Sequence, residues 1–515
     1  IFMKNGSVID ATLATMFCAG LTNMQSMGIG GGFIMNIFIK SENRAYTLDA
    51  REMTAGAAHE SMHLHDPSTT NEGPLSIAVP GELKGYWEAH QRFGKLPWRE
   101  ILEPTIELCY KGFEMSKHMW DSLHINPKVK NDPELRKMYV DEVTGEFKKQ
   151  GSWIKVGKLC KTFEHIAEKG GEDMYHGELA QQLADDLKDV GSIITKSDLE
   201  QYKLRWSDSI PIDLNGETMF VVPPPASGIL LGLIFNILKG YHFTPKDLST
   251  VNGTILTYHR IVEAYKFAYA KRSLIGDPEF NDIQELVSNL TSTEYADEIR
   301  AKINDFTTKT NPREYGANFY SKDSHGTAHI SVIGPNGDAV SSTSSVNFYF
   351  GAALTGKRTG IVLNSQMDDF SSPGLKNYFG LPGSEPNYIR PHKRALSSMS
   401  PTLILDKDRN IKLVIGAAGG TKITTAVSMA IMKSIWFGGN IKEAVDLPRF
   451  HHQLIPMEIQ YEYGNLQQVI DGLEAIGHKT RRYRERGSII CGITRNSTGV
   501  YANADYRKGG DVVGF

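Results

Sequence analysis

Apolar and polar residues alternate from Thr327 to Val332. Ala328, Ile330 and Val332 fall on one face of a strand, and Thr327, His329 and Ser331 on the other. Gly334-Pro335-Asn336-Gly337-Asp338 is a turn with Asn-Gly inside it, and Ala339 to Ser345 returns as a second strand. The stretch is therefore expected to be a hairpin with one polar face. Earlier in the chain, Ser7-Val8-Ile9-Asp10 has the form of a capping box and opens an apolar helix that runs to Leu21. The glycines from Gly28 to Gly32 lead into Phe33 to Ile39, an almost unbroken apolar strand, and Thr47-Leu48-Asp49 ends the next strand just before Arg51. A dinucleotide fold places its glycines after a strand and before a helix; the order here is reversed, which argues against nucleotide binding.

From Pro80 to about Glu200 the period is mainly helical, with helices expected from Gly81 to Phe93 and from Trp98 to Gly112. The charged stretches from Lys128 to Lys149 read as solvated surface. Ile210 to Val222 returns to strand, and Pro223 to Gly228 is a stiff turn into the apolar helix Ile229 to Leu238. Tyr258 to Leu274 is a further helix, expected to carry Arg260, Lys266 and Arg272 on its outer side. Asn304 to Asp323 has no clear period and is expected to be exposed and mobile. Beyond the hairpin lie a loop from Ser371 to Lys393, the strand Ile411 to Ile415 and the helix Thr424 to Trp436. With Tyr378, Phe379 and Tyr388, the loop suits either a lid or a plain surface excursion.

Composition narrows the class. The chain has 515 residues, 40% of them hydrophobic, enough for a large core and about two to four domains. A net charge of −3 argues against nucleic acid or an anionic membrane as the main partner. The longest apolar run, Ile229 to Leu238, is shorter than the ~20 residues a membrane span needs, and no signal segment is recognisable at Ile1-Phe2-Met3. Cys18, Cys109, Cys160 and Cys491 lack metal-ligand spacing. Buried free thiols and long-range disulfides both remain open for them, with mostly free thiols favoured. Sequons stand at Asn5, Asn252, Asn289 and Asn496.

The candidate chemistry lies at Gly326-Thr327. A cut there gives Thr327 an α-amine, of pKa about 7.7–8.0, able to act as the base for its own hydroxyl. Gly326 tolerates the strained backbone that self-cleavage requires. With this junction the sequence resembles the γ-glutamyltranspeptidases (γ-glutamyltransferases), which are N-terminal-nucleophile hydrolases, and most of all their animal members. The resemblance runs in family order through Met27 to Gly32, Asp49-Ala50-Arg51-Glu52, Val79-Pro80-Gly81-Glu82, Asn347 to Phe350, Gln366 to Pro373, Leu396 to Pro401, Gly416 to Thr421 and Arg507 to Gly510. It implies an α/β (α+β) four-layer αββα sandwich of the N-terminal-nucleophile hydrolase type. Self-cleavage would give a large segment, 1–326, and a small one, 327–515, associated as a heterodimer within one intertwined domain. The implied enzyme is a transferase and hydrolase that takes the γ-glutamyl group from glutathione or a conjugate and passes it to water, an amino acid or a dipeptide. No cofactor, metal or nucleic acid is implied. Because family members usually carry a signal peptide or anchor, an extracellular or cell-surface location is expected. In animal members a cysteine like Cys18 pairs with one upstream of this chain's first residue.

Cutting a γ-glutamyl amide requires an attacking group, an oxyanion holder and grips for the substrate's α-carboxylate and α-ammonium. The resemblance assigns attack to Thr327, with the Ser345 hydroxyl as its partner, although Ser345 taken alone is a plain strand residue. Backbone N–H groups of Gly419 and Gly420, at a strand-to-helix turn, hold the oxyanion. Arg51 grips the α-carboxylate as a bidentate fork with Ser397 and Ser398, and Asp369 grips the α-ammonium with Asn347 and Gln366. His329 is read as structural, since nothing specifies a carboxylate partner for it. His325 stands where the family often has a small residue, a bulk expected to slow processing. Two rivals are an acylase of another amide, disfavoured by Arg51 and Asp369, and a catalytically silent homologue that binds glutathione-like ligands or a partner.

Overall fold

The apolar run after the glycines forms the strand Gly32–Ile39, buried along its whole length. It pairs antiparallel with Arg44–Ala50 on one side and with Ala339–Ser345 on the other. Ala328–Ile333 completes the hairpin against Ala339–Ser345, and the sheet has five strands. The computed structural model describes residues 1–319, 326–374, 381–483 and 487–514. This sheet belongs to one of two compact units, made of Ile1–Ser207, Ser324–Ser372 and Ile389–Ala395. Its core packs the sheet with the helices Val8–Thr22, Glu82–Phe93, Trp98–Lys111 and Lys158–Lys169. The capping box is present: Ser7 Oγ accepts from Asp10 N at 3.1 Å and Asp10 Oδ2 from Ser7 N at 2.8 Å.

The second unit comprises Asp208–Asp323, Pro373–Tyr388 and Leu396–Phe515. Its main sheet runs Gly499–Ala504, Ile489–Asn496, Ile411–Ala418, Thr402–Leu405, Thr218–Val221, Ile210–Asp213, antiparallel throughout. The apolar helix Gly228–Lys239 and the helices Val251–Arg272 and Lys422–Ile435 share its core. Strands from both sides of Gly326-Thr327 are thus hydrogen-bonded to each other in each unit.

Several expectations change. Ile210 to Val222 is not one strand but two, because Asn215 and Gly216 take positive φ and turn the chain back. The helix containing Tyr258 begins at Val251, where the Thr250 hydroxyl caps Gly253 N at 3.1 Å. Lys266 and Arg272 are not on an outer face; they are 2% and 6% exposed, each with an internal polar partner. Of the segment expected to be exposed and mobile, the described part is mostly exposed, Phe306 at 83%, but it contains a short 3₁₀ turn, Pro312–Tyr315, and buries Tyr315 and Ala317; 320–323 lie outside the described residues. Within Lys128 to Lys149, the helix Pro133–Tyr139 buries Leu135 and Tyr139. In the loop from Ser371 to Lys393, Leu381, Ser384 and Asn387 are buried, while Tyr378 and Phe379 lie outside the described residues. So does His325. Among the described residues no helix is long and apolar enough to cross a membrane.

The cysteines divide evenly. Cys109 and Cys160 form a disulfide, correcting the preference for mostly free thiols, whereas Cys18 and Cys491 are in no disulfide among the described residues. Local spacing carried no sign of this pair because the two cysteines stand 51 residues apart on different helices. Replacing both partners with Ala should destabilise the protein by about 2–4 kcal/mol through lost loop closure, read as a lower guanidinium midpoint than wild type.

Candidate active site

The Gly326–Thr327 bond is held from two sides. Gly326 has φ +94°, and a Cβ added there would lie 2.2 Å from the Asn347 carbonyl oxygen, so only glycine fits. The Ser345 hydroxyl donates to the Gly326 carbonyl oxygen at 2.7 Å, and the Thr327 hydroxyl donates to the same oxygen. Thr327 is buried, immediately before the strand Ala328–Ile333. Ser345 Oγ also accepts from Asn347 N at 2.8 Å, which fixes its orientation. Asn347 itself takes a positive φ of 72°, a strained conformation for a side-chain-bearing residue.

A hydrogen-bonded path links this junction to the charged candidates. Asn347 Nδ2 donates to Ser365 O at 2.8 Å, and Ser365 N to Val346 O at 3.0 Å. These bonds anchor the 3₁₀ turn Gln366–Asp369. From that turn Gln366 Nε2 donates to Asp369 Oδ2 at 2.5 Å, and Arg51 Nη2 donates to the same oxygen at 2.9 Å. Arg51 is 2% exposed; its backbone is pinned by Asp49 Oδ1 at 2.9 Å and by the Tyr202 hydroxyl at 2.8 Å. Arg51 Nε and Gln366 Oε1 are buried without a hydrogen-bond partner among the described residues, so this end of the network has unused donor and acceptor capacity. The structure therefore brings Gly326, Thr327, Ser345, Asn347, Gln366, Asp369 and Arg51 into one connected network. Asn347 spends its side-chain amide donor on Ser365 rather than on Asp369.

Two acids in the same unit come into view only in the fold. Glu52 lies 3.4 Å from Arg51 Nη1, and burial pushes its carboxyl up to about 7 against the lowering pull of Arg51. Glu82 opens the helix Glu82–Phe93, accepts from the Ser344 hydroxyl at 2.7 Å and from the Tyr86 hydroxyl, and is pushed by burial up to about 8. Both stand inside family motifs, but only the fold shows their burial beside the Arg51 and Ser345 strands. His329 is buried, with Nδ1 2.8 Å from the Thr343 hydroxyl and Nε2 3.0 Å from the Ser331 hydroxyl. Burial pushes it down to about 3, so the ring is neutral and hydrogen-bonded on both sides, in agreement with a structural part.

The remaining candidates belong to the other unit. Ser397 N donates to Pro225 O at 2.8 Å and the Ser227 hydroxyl to Ser397 O at 2.7 Å, stitching the serines to the Pro223–Gly228 turn. Ser398 Oγ accepts from Arg272 Nη2 at 2.9 Å. Gly419 and Gly420 follow the strand Ile411–Ala418 with φ of +125° and +60°. Their carbonyls accept from Lys422 N and Ile423 N at 3.3 and 3.0 Å, opening the helix Lys422–Ile435.

The architecture has a close counterpart in a solved cephalosporin acylase from Bacillus halodurans, with a TM-score of 0.84, 24% identity, and 100% of this chain and 92% of that one covered. The fold is thus an α/β sandwich, as expected. A family model described as Gamma-glutamyltranspeptidase matches residues 1–515, and the chain belongs to that family. It is 41% identical to Scoloptoxin SSD14 of Scolopendra dehaani, over 99% of this chain and 89% of that protein. It is 36% identical to Glutathione hydrolase proenzyme 2 of Schizosaccharomyces pombe, over 99% of this chain and 83% of that protein. The chain is an enzyme of γ-glutamyl transfer and hydrolysis.

Glu82 generates a pH prediction. Its carboxyl titrates at about 8 in the fold against 4.5 when unburied, so over that range the folded chain holds a proton the unfolded chain has released. The stability this provides is full below the unfolded value and is lost as pH rises through the folded one. Glu82→Gln should therefore lose less stability than wild type between about pH 5 and pH 9, measured by denaturant unfolding; equal losses would show that Glu82 carries no such proton.

Proposed function

We propose that Thr327 is the nucleophile of a self-processing γ-glutamyltransferase and glutathione hydrolase. The observation that carries this reading is the convergence of the Ser345 and Thr327 hydroxyls on the Gly326 carbonyl oxygen. In self-cleavage, Thr327 Oγ1 adds to the Gly326 carbonyl carbon while Ser345 Oγ–H stabilises the oxygen as it becomes negative. Collapse breaks the C–N bond, and the hydroxyl proton passes to the departing nitrogen. Water then hydrolyses the ester, giving a carboxylate on Gly326 and a free α-amine on Thr327. The products are a large piece, 1–326, and a small piece, 327–515, which remain a heterodimer because strands of both lie in the same sheets. The word proenzyme in the name of the Schizosaccharomyces pombe relative is in keeping with such a zymogen.

In turnover, the Thr327 amine takes the hydroxyl proton as Oγ1 attacks the γ-carbonyl of glutathione or a conjugate, and the leaving amine receives a proton. The γ-glutamyl ester then passes to water, an amino acid or a dipeptide. The donor's α-carboxylate meets Arg51 and its α-ammonium meets Asp369; the hydroxyl-donor part of Ser397 and Ser398 is what the family resemblance implies. The Arg51–Asp369 pair thereby opens to admit a head group of complementary charge at each end. Gln366 and Asn347 border that grip, and N–H groups of Gly419 and Gly420 receive the substrate oxyanion. The location we assign is extracellular or cell-surface. The sequon asparagines Asn5, Asn252, Asn289 and Asn496 are all exposed, as glycosylation requires, and a disulfide suits an oxidising compartment.

The test is a denaturing gel with sequencing of the small band, alongside release of a chromogenic amine from its γ-glutamyl derivative. Two bands, the smaller beginning at Thr327, with turnover are expected; a single uncut band with no turnover refutes the reading in favour of a silent binder. Thr327→Ala should remain uncut and inactive. Ser345→Ala should slow cutting by about 10²–10³-fold, the effect of losing one oxyanion donor, followed as band conversion over time. Arg51→Ala should raise KM for γ-glutamyl donors steeply, and unchanged kinetics would remove it from the site.

A further inference from the structure

The unit made of Asp208–Asp323, Pro373–Tyr388 and Leu396–Phe515 buries a cluster of ionisable groups that this chemistry does not use. Glu263 and Lys266 lie on the helix Val251–Arg272, as does His259, and His478 follows the helix Gln467–Ile476. All are buried. Their partners include Asn304, Thr308 and Tyr315, which belong to the segment preceding the Gly326–Thr327 bond.

The hydrogen bonds fix the direction of every proton. His259 Nε2 lies 2.7 Å from the Asn304 carbonyl oxygen, which only accepts, so Nε2 carries the hydrogen. Burial pushes both imidazoles down, so His259 is neutral and its Nδ1 accepts. His478 Nε2 therefore donates to it at 2.8 Å, leaving His478 Nδ1 to accept from the Lys266 ammonium at 3.3 Å. Lys266 also donates to Glu263 Oε1 at 2.9 Å and to the Thr308 hydroxyl, which uses its three N–H groups, and the Tyr315 hydroxyl oxygen lies 3.3 Å from the same ammonium. Thr308 in turn donates to Glu263 Oε1 at 2.6 Å, and Tyr315 to Oε2 at 2.9 Å. The donor set of His259, Glu263 and His478, whose ligand atoms lie within 4.8 Å of one another, also suits a divalent cation, but the Lys266 ammonium already supplies the positive charge. The Tyr315 ring packs edge-on against Phe267 at 4.9 Å.

We propose that this cluster is a socket that keeps residues 304–315 bound to their unit after the Gly326–Thr327 bond is cut, so that the new end of the large piece stays anchored. The inference rests on the cleavage proposed above. Cutting turns an internal segment into a chain end, and chain ends fray unless they are tied down. Here the tie is a buried charged pair and a polar relay that reaches out from it to the half-buried Thr308 and the Asn304 carbonyl. Its bonds to the arm run through a backbone carbonyl and two hydroxyls, so they need neither the intact bond nor a substrate.

The test is hydrogen–deuterium exchange on the processed enzyme and on the uncut Thr327→Ala chain, each with and without the pair Thr308→Val and Tyr315→Phe. These substitutions keep shape and ring packing, and neither residue belongs to the hydrogen-bonded network that runs from Gly326 to Arg51. In the parent proteins, amides of 304–315 should exchange slowly both cut and uncut. In the cut double variant they should exchange at least about tenfold faster, with the strand Ile411–Ala418 unchanged. Equal exchange with and without the substitutions, or a parent arm that exchanges like free peptide, overturns the socket. Stoichiometric zinc in the purified protein, lost in His478→Ala, overturns Lys266 as the resident cation. Failure of the wild-type chain to cut refutes the cleavage reading instead, and exchange in the uncut chains still decides whether the cluster holds the arm.

Discussion

The antiparallel pairing of Gly32–Ile39 with Ala339–Ser345 is the constraint on which the candidate site depends. It sets Gly32 opposite Ser345, and Gly31 approaches so closely that a Cβ there would lie 2.2 Å from the Ser345 carbonyl oxygen. That fit requires the glycines. It also brings chain from before the junction into register with chain from after it. With the register held, Ser345 aims its hydroxyl at Gly326, and Ser344, opposite Ala328, turns to Glu82. A slip of one residue would exchange the two serines between faces and remove the hydrogen bond on the Gly326 carbonyl.

In each unit the fold spends polar groups in buried pairs. Arg51 with Asp369 and Lys266 with Glu263 each set an ion pair deep in a unit, where an unpaired charge would be costly. The two pairs differ in completeness. Lys266 is surrounded by acceptors and its neighbours complete one another. Beside Arg51 lie unsatisfied Nε, Gln366 Oε1 and both Glu52 oxygens. Unspent hydrogen-bonding capacity in a buried place suits a site that receives a charged ligand, and a completed network suits an anchor. The contrast separates the proposed substrate grip from the proposed socket.

The legible parts of the chain were the local ones. The capping box at Ser7, the strand after the glycines, the hairpin after Thr327 and the neutral, structural His329 were all readable from spacing and neighbouring residue types. The family motifs also named the residues that the fold links from Gly326 to Arg51. Errors arose where a local pattern looked solvated. Lys266 and Arg272 carry charge on a helix yet are packed inward, and the mostly exposed segment 304–319 still buries Pro312, Tyr315 and Ala317. Glu82 was visible within a motif but carried no sign of its burial.

The sequence by itself determined the family and most of the secondary structure, because periodicity, turn residues and ordered motifs act over a few neighbouring positions. Only the tertiary structure decided which charges are buried, which thiols pair and what the arm before the junction rests on. Those outcomes depend on partners such as Lys266 and His478, 212 positions apart, and Arg51 and Asp369, 318 apart. A charged side chain is stable inside a protein only when the fold brings it a partner, and that partner is not written beside it in the chain.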